Sequence, residues 1–265
     1  MGQGSTLNGA ENWLMADAMT ETRYHRMADG RAIAYRHTAG TGPTIVFLPG
    51  YRSDMAGSKA SALFDWAVAR GRACLLLDYS GCGESEGDFA DGTLSRWRDE
   101  VLALIEAVAQ DVVLVGSSMG GWLMLMVAQR VPVAGMVGVA AAPDFTAWGY
   151  DEAQKAALAA GRAVFEPNPY GPEPTPTYAG FWADGQANLM LDGPIAFDGP
   201  VRLLHGMEDG DVPPAMAHRL VGALCSGDVQ LTLVKGGDHR LSRERDIALL
   251  LATVAGLVDE RHAWQ

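Results

Sequence analysis

The chain is poor in cysteine, poor in positive charge and free of long apolar runs, and each shortage removes a class of protein. Its three cysteines, Cys74, Cys82 and Cys225, are odd in number and far apart. That supports neither a disulfide framework nor a metal knuckle. Cys74 opens an apolar stretch and is expected in the core, and Cys82 is expected as filler in a glycine loop. A reducing compartment follows, with no cofactor and no metal. The 20 Lys+Arg stand against 32 Asp+Glu, a net charge of −12, so nucleic acid and anionic membrane surfaces are repelled. No apolar run approaches the ~18 residues of a membrane span. Residues 1–22 place Glu11, Asp17 and Glu21 ahead of Arg23, the first basic residue. This fits neither a secretory signal nor a transit peptide. A loose arm and a cytoplasmic protein are the expectations.

What is present suits a well-packed domain: 265 residues, 48% hydrophobic and 20% charged. Asp29-Gly30 sits between Arg23–Ala28 and Arg31–His37 as a hairpin turn would. Thr44–Leu48, Ala73–Leu77, Asp111–Val115 and Val133–Ala142 are continuous apolar runs, the pattern of strands buried on both faces. Between them, Ser58–Arg70, the stretch after Thr93, and Gly121–Gln129 read as helices. The last is apolar all round and belongs under the centre of the sheet. The alternation predicts an α/β fold, with a mostly parallel central sheet covered by helices on both faces. Regular elements return at Val201–Leu204, Pro214–Leu224, Val229–Val234 and Glu244–Val258. One domain is expected over residues 23–265. It is interrupted at about 144–197 by an aromatic, proline-rich stretch with one helix, Glu152–Ala163; so long an irregular segment reads as a lid.

Chemistry concentrates where Asp111–Val115 runs into Gly116-Ser117-Ser118-Met119-Gly120-Gly121. A strand, a G-x-S-x-G turn and a helix in succession form a nucleophile elbow. Gly116 and Gly120 are small because the turn is tight, and Ser118 is the raised hydroxyl. A serine needs a base, and the base an orienting acid. Of six histidines, only His239 follows the last strand and precedes the last helix, in the order Ser–acid–His that this elbow accompanies. The acid belongs after the penultimate strand, where Glu208, Asp209 and Asp211 stand. Asp209 is chosen for the loop apex, with Asp211 next. His205 is expected to close its turn. Two amides are needed for the oxyanion: Met119, after the nucleophile, and Tyr51, after Pro49-Gly50. The Gly81-Cys82-Gly83 loop lacks the layout of a nucleotide site.

Several motifs agree at once: Pro49-Gly50-Tyr51-x-Ser53-Asp54-Met55, Gly57-x-Lys59-Ala60, Asp78-Tyr79-Ser80-Gly81-x-Gly83, Thr93-Leu94-x-x-Trp97-Arg98, the elbow with Trp122-Leu123-Met124-Leu125, Arg202-Leu203-Leu204-His205-Gly206-Met207 and Gly237-Asp238-His239-Arg240. Over residues 44–258 the chain resembles the α/β-hydrolase superfamily. Within it the likeness is to mitochondrial acyl-protein thioesterases, also described as acyl-glucuronide esterases, and their bacterial relatives. The resemblance implies an α/β-hydrolase fold and a serine hydrolase acting on a small-molecule or acylated-protein substrate with an apolar acyl group. It supports Ser118, Asp209 and His239 as the triad. The N-terminal arm and the prolines of 166–177 depart from the pattern. A general carboxylesterase, peptidase or carbon–carbon bond hydrolase using the same triad is the alternative, and a non-catalytic ligand-binding protein a further one.

Overall fold

The computed structural model describes residues 21–109, 111–169 and 171–260. An eight-stranded sheet runs in the order β1-β2-β4-β3-β5-β6-β9-β10. Its strands are β1 (Arg23–Arg26), β2 (Ala32–Thr38), β3 (Thr41–Leu48), β4 (Arg72–Leu77), β5 (Val112–Ser117), β6 (Gly135–Val139), β9 (Val201–Gly206) and β10 (Val229–Val234). The β1–β2 hairpin joins antiparallel, β2 to β4, and every other neighbour pair is parallel.

Period-two alternation sorts the strand residues into two cores. Val46, Leu48, Val112 and Leu114 face one way, against helices α2 (Leu94–Val108), α3 (Met119–Ala128) and α7 (Pro214–Ala223). Ile45, Phe47, Val113 and Val115 face the other, against α1 (Ser58–Ala69) and α8 (Glu244–Glu260). Every residue of α3 from Met119 to Val127 is buried, as an all-round apolar helix requires. Caps fix the helix ends. Thr93 Oγ1 accepts from the Arg96 amide at 3.1 Å to start α2, and Gly71, at φ 61, follows the end of α1.

The insertion holds more regular structure than its sequence suggests. Instead of one helix it contains α4 (Phe145–Trp148), α5 (Glu152–Ala159), β7 (Val164–Glu166), β8 (Thr175–Thr177) and α6 (Ala179–Ala187). Two glycines in α6 and prolines around β8 erased the periodicity that would reveal them. Helix α5 stops earlier than expected, at the Gly161 turn. Strands β7 and β8 pair antiparallel, apart from the main sheet. Asp144, left-handed at φ 58, closes the neck: its carboxylate accepts from the amides of Met190 and Leu191 at 2.9 and 2.8 Å. Most of the expected N-terminal arm, residues 1–20, lies outside the described residues.

Candidate active site

Strand β5 ends at Ser117, and α3 begins at Met119, so Ser118 has one residue in which to turn the chain. It does so at φ 55, ψ −120, a conformation a non-glycine residue holds only when its surroundings impose it. The surroundings are backbone. A Cβ on Gly120 would lie 2.0 Å from the Leu48 carbonyl oxygen, and one on Gly116 would lie 2.4 Å from the Gly120 oxygen. The elbow therefore interlocks with the end of β3, and both glycines are required by close approach.

His239 and Asp209, the residues expected as base and acid, follow the C-terminal ends of β10 and β9. His239 Nε2 lies 3.1 Å from Ser118 Oγ, and His239 Nδ1 lies 2.9 Å from Asp209 Oδ2. The Asp209 side chain is fully buried and that of His239 15% exposed, so one end of the chain of hydrogen bonds is dry and the other opens to the cavity. Burial opposes the charge on Asp209. The hydrogen bond and charge of His239, with the amides of Val212 and Asp211, outweigh it and hold the carboxyl below its ordinary value. Both amides point at Oδ1, at 2.8 and 2.9 Å. An ionised Asp209 takes the Nδ1 proton as a hydrogen bond, which leaves the Nε2 lone pair for the Ser118 hydroxyl.

Of the other acids in this loop, Asp211 contributes its amide to Asp209 and lines the cavity, and Glu208 is exposed. His205 belongs to β9 itself. Its Nε2 donates to the Val212 carbonyl at 2.9 Å and lies 3.4 Å from Asp209 Oδ2, so it braces the acid's loop. That proximity has no local signal in the sequence. The sequence around Lys59 likewise carries no signal of a role for it. It lines the cavity and donates from Nζ to the carbonyl of Arg240, beside the base, at 2.5 Å.

Tyr51 and Met119 flank Ser118 in the cavity wall. Met119 opens α3, so its amide has no helical acceptor four residues back and is available to an anion. Gly50 brings the Tyr51 loop against the elbow; a Cβ there would lie 3.3 Å from Ser118 Cβ. The cavity, about 650 Å³, is lined by Phe145, Trp148 and Tyr150 of the insertion and has Arg52, Lys59 and Arg240 among its polar lining. Cys82 is buried, and burial pushes its thiol up to about 12, so it offers no thiolate. Among the described residues, no group of His, Cys, Asp and Glu is arranged to hold a metal, and no helix is long and apolar enough to cross a membrane.

A mostly parallel sheet with this elbow, and with His239 and Asp209 beyond the C-terminal ends of its strands, defines the α/β-hydrolase class. The model of the alpha/beta hydrolase family matches residues 45–253, and the chain belongs to that family. Among curated proteins it is similar to the mitochondrial palmitoyl-protein thioesterase ABHD10 of Homo sapiens, at 35% identity over 95% of this chain and 85% of that one. The Mus musculus protein of the same name is 38% identical over 86% and 79%. Among solved structures, a hydrolase from Agrobacterium vitis S4 superposes with a TM-score of 0.85 at 40% identity, covering 90% of this chain and 98% of that one. Alpha/beta hydrolase domain-containing protein 10 from mouse gives 0.84 at 35%, covering 91% and 99%. The expectation of a cytoplasmic protein is overturned, because these curated relatives are named mitochondrial. It rested on the acidic character of residues 1–22, whereas a cellular address is read by receptors and leaves no mark on the packing of the domain.

Proposed function

We propose that the protein is a serine hydrolase of carboxylic thioesters and esters bearing an apolar acyl group, an acyl-protein thioesterase in the manner of its palmitoyl-protein thioesterase relatives. One observation carries the reading: the continuous hydrogen-bonded row Ser118–His239–Asp209 at a cavity whose lining includes Phe145, Trp148 and Tyr150. In this reading residues 23–265 act as one domain. The segment 144–197 is the lid, and its Phe145, Trp148 and Tyr150 provide the wall for the acyl chain.

The steps follow from proton positions. His239 Nε2 takes the Ser118 hydroxyl proton as Oγ bonds to the carbonyl carbon. The carbonyl π-electrons move to oxygen, and the amides of Tyr51 and Met119 receive that oxyanion. Asp209 holds the imidazolium through Nδ1–H. Collapse of the intermediate breaks the carbon–sulfur bond, and His239 returns the proton to the departing thiolate. Water then takes the place of serine: His239 removes its proton, hydroxide adds to the acyl carbon, and Ser118 leaves with the proton restored. Each oxyanion amide is worth about 3 kcal/mol of barrier.

Turnover of fatty acyl thioesters and of p-nitrophenyl esters from two to sixteen carbons tests the substrate. A kcat/KM that rises with chain length and favours the thioester supports the proposal. Preference for short aryl esters assigns a general carboxylesterase instead.

A further inference from the structure

The prolines of the insertion have an unexpected geometry at the catalytic loop. Strand β8 carries Pro176 at its centre and Pro174 immediately before it. In an extended strand, residues two apart turn their carbonyls to the same edge, and each amide shares the edge of its own carbonyl. A proline has no amide proton. The edge formed by Pro174 and Pro176 therefore presents acceptors and no donors. Pro176 stands opposite Phe165 of β7, yet its carbonyl is taken by another partner: the Tyr51 hydroxyl, at 2.9 Å. The Pro174 carbonyl accepts from Arg52 Nη1, also at 2.9 Å. Two consecutive residues of the β3–α1 loop thus satisfy two alternate carbonyls of the insertion.

The loop that makes these contacts is constrained elsewhere. Arg52 is left-handed at φ 56, which an arginine adopts only under external constraint. Its guanidinium lies 5.8 Å from the ring centroid of Phe89. The Tyr51 ring is caught between Phe89 and Phe181, with centroids at 5.1 and 4.8 Å. Burial raises the Tyr51 phenol, so its hydroxyl keeps its proton and remains a donor. On the other side, the Tyr79 hydroxyl donates to the Pro49 carbonyl at 3.1 Å. Tyr51 is thus tied to the elbow through the close approach of Gly50 and to β8 through its hydroxyl.

We propose that the acceptor-only edge at Pro174 and Pro176 holds the Tyr51 amide in place through the Tyr51 hydroxyl and the Arg52 guanidinium. The insertion then helps to build the oxyanion hole as well as covering the substrate. Tyr51 (through its side chain) and Arg52 are positioning residues. The inference rests on the proposed role of the Tyr51 amide. It also accounts for the alternating prolines: a residue with an amide at 174 or 176 would place a donor where the loop already supplies donors.

The test uses Tyr51→Phe and Arg52→Met, singly and together, with Arg52→Lys as the conservative control. Steady-state kinetics on a p-nitrophenyl ester are paired with inhibition by an alkyl trifluoromethyl ketone, whose adduct with the serine carries an oxyanion. The double variant is expected to lose about tenfold or more in kcat with KM within about twofold. Its inhibitor affinity should fall by the same factor as kcat/KM, and Arg52→Lys should recover part of both. A folded double variant with wild-type kcat and inhibitor affinity overturns the inference. If the double variant does not fold, Tyr51→Phe, which removes a single oxygen, decides by the same two measurements. Failure of the catalytic reading itself looks different: the wild-type enzyme would then take no fluorophosphonate on Ser118.

Discussion

Gly206 and Gly237 meet backbone to backbone. A Cβ on Gly206 would lie 2.4 Å from the Gly237 carbonyl oxygen and 2.5 Å from that of Asp238. The Glu208 amide donates to the same Gly237 carbonyl at 2.8 Å. The loop bearing Asp209 and the loop bearing His239 are therefore one unit, assembled where β9 and β10 end side by side. Arg243 adds a further tie by donating from Nη1 to the Gly236 carbonyl at 2.5 Å.

Gly206→Ala should push these loops apart. Because the obstacle is backbone, relief requires main-chain movement, and a loss of about 2–3 kcal/mol of stability is expected. The rate of fluorophosphonate labelling should fall further than stability explains, since a shift of about 1 Å in the base costs of order a hundredfold. Urea denaturation and labelling kinetics on the same preparation check both numbers.

Asp209→Asn removes the ionised acceptor that sets the His239 tautomer, and kcat should fall by about 10⁴. Asp211→Asn leaves the Asp211 amide on Asp209 Oδ1 and should keep kcat within about tenfold. Steady-state kinetics of the two variants decide between the acids. The Asp209 carboxyl is held below its ordinary 3.8, so the stability it contributes is present above that value. It is lost as pH falls through the lower, folded value. An Asn variant should lack this part of the acid sensitivity in a urea titration series.

Lys59 carries an alkaline prediction. Burial, then the charge of Arg240, lowers its ammonium from 10.5 to about 8, against the pull of Asp238 and Asp246. Between those pH values the unfolded chain holds the proton and the folded chain has released it. The unfolded state binds more protons there, so this group makes stability rise with pH. Compared with Lys59→Met, the wild-type protein should gain urea resistance between pH 7.5 and 10. Parallel curves for the two proteins would show that Lys59 titrates normally.

Much of the architecture was legible because its strands are buried on both faces. Thr44–Leu48 and Val112–Val115 are continuous apolar runs, and the helices between them show a face or, in α3, no polar face at all. The apolar run marks β3 only from Thr44, yet the strand starts at Thr41, and its register with β4 shifts between Thr41 and Ile45. Ser118, Asp209 and His239 are legible from chain order and strand ends, and His239 lies within hydrogen-bonding reach of the other two. The contacts of Lys59 with Arg240 and of Tyr51 with Pro176 span 181 and 125 residues. No local pattern encodes such pairings, which is why the insertion, apart from one helix, reads as an irregular lid.

The most direct measurement is mass-spectrometric mapping of fluorophosphonate labelling on three proteins. The account predicts a single adduct on Ser118 in the wild type, none in Ser118→Ala, and an adduct at full rate in Ser117→Ala, whose serine is buried in β5. Labelling that survives Ser118→Ala, or that maps to Ser117, would contradict it.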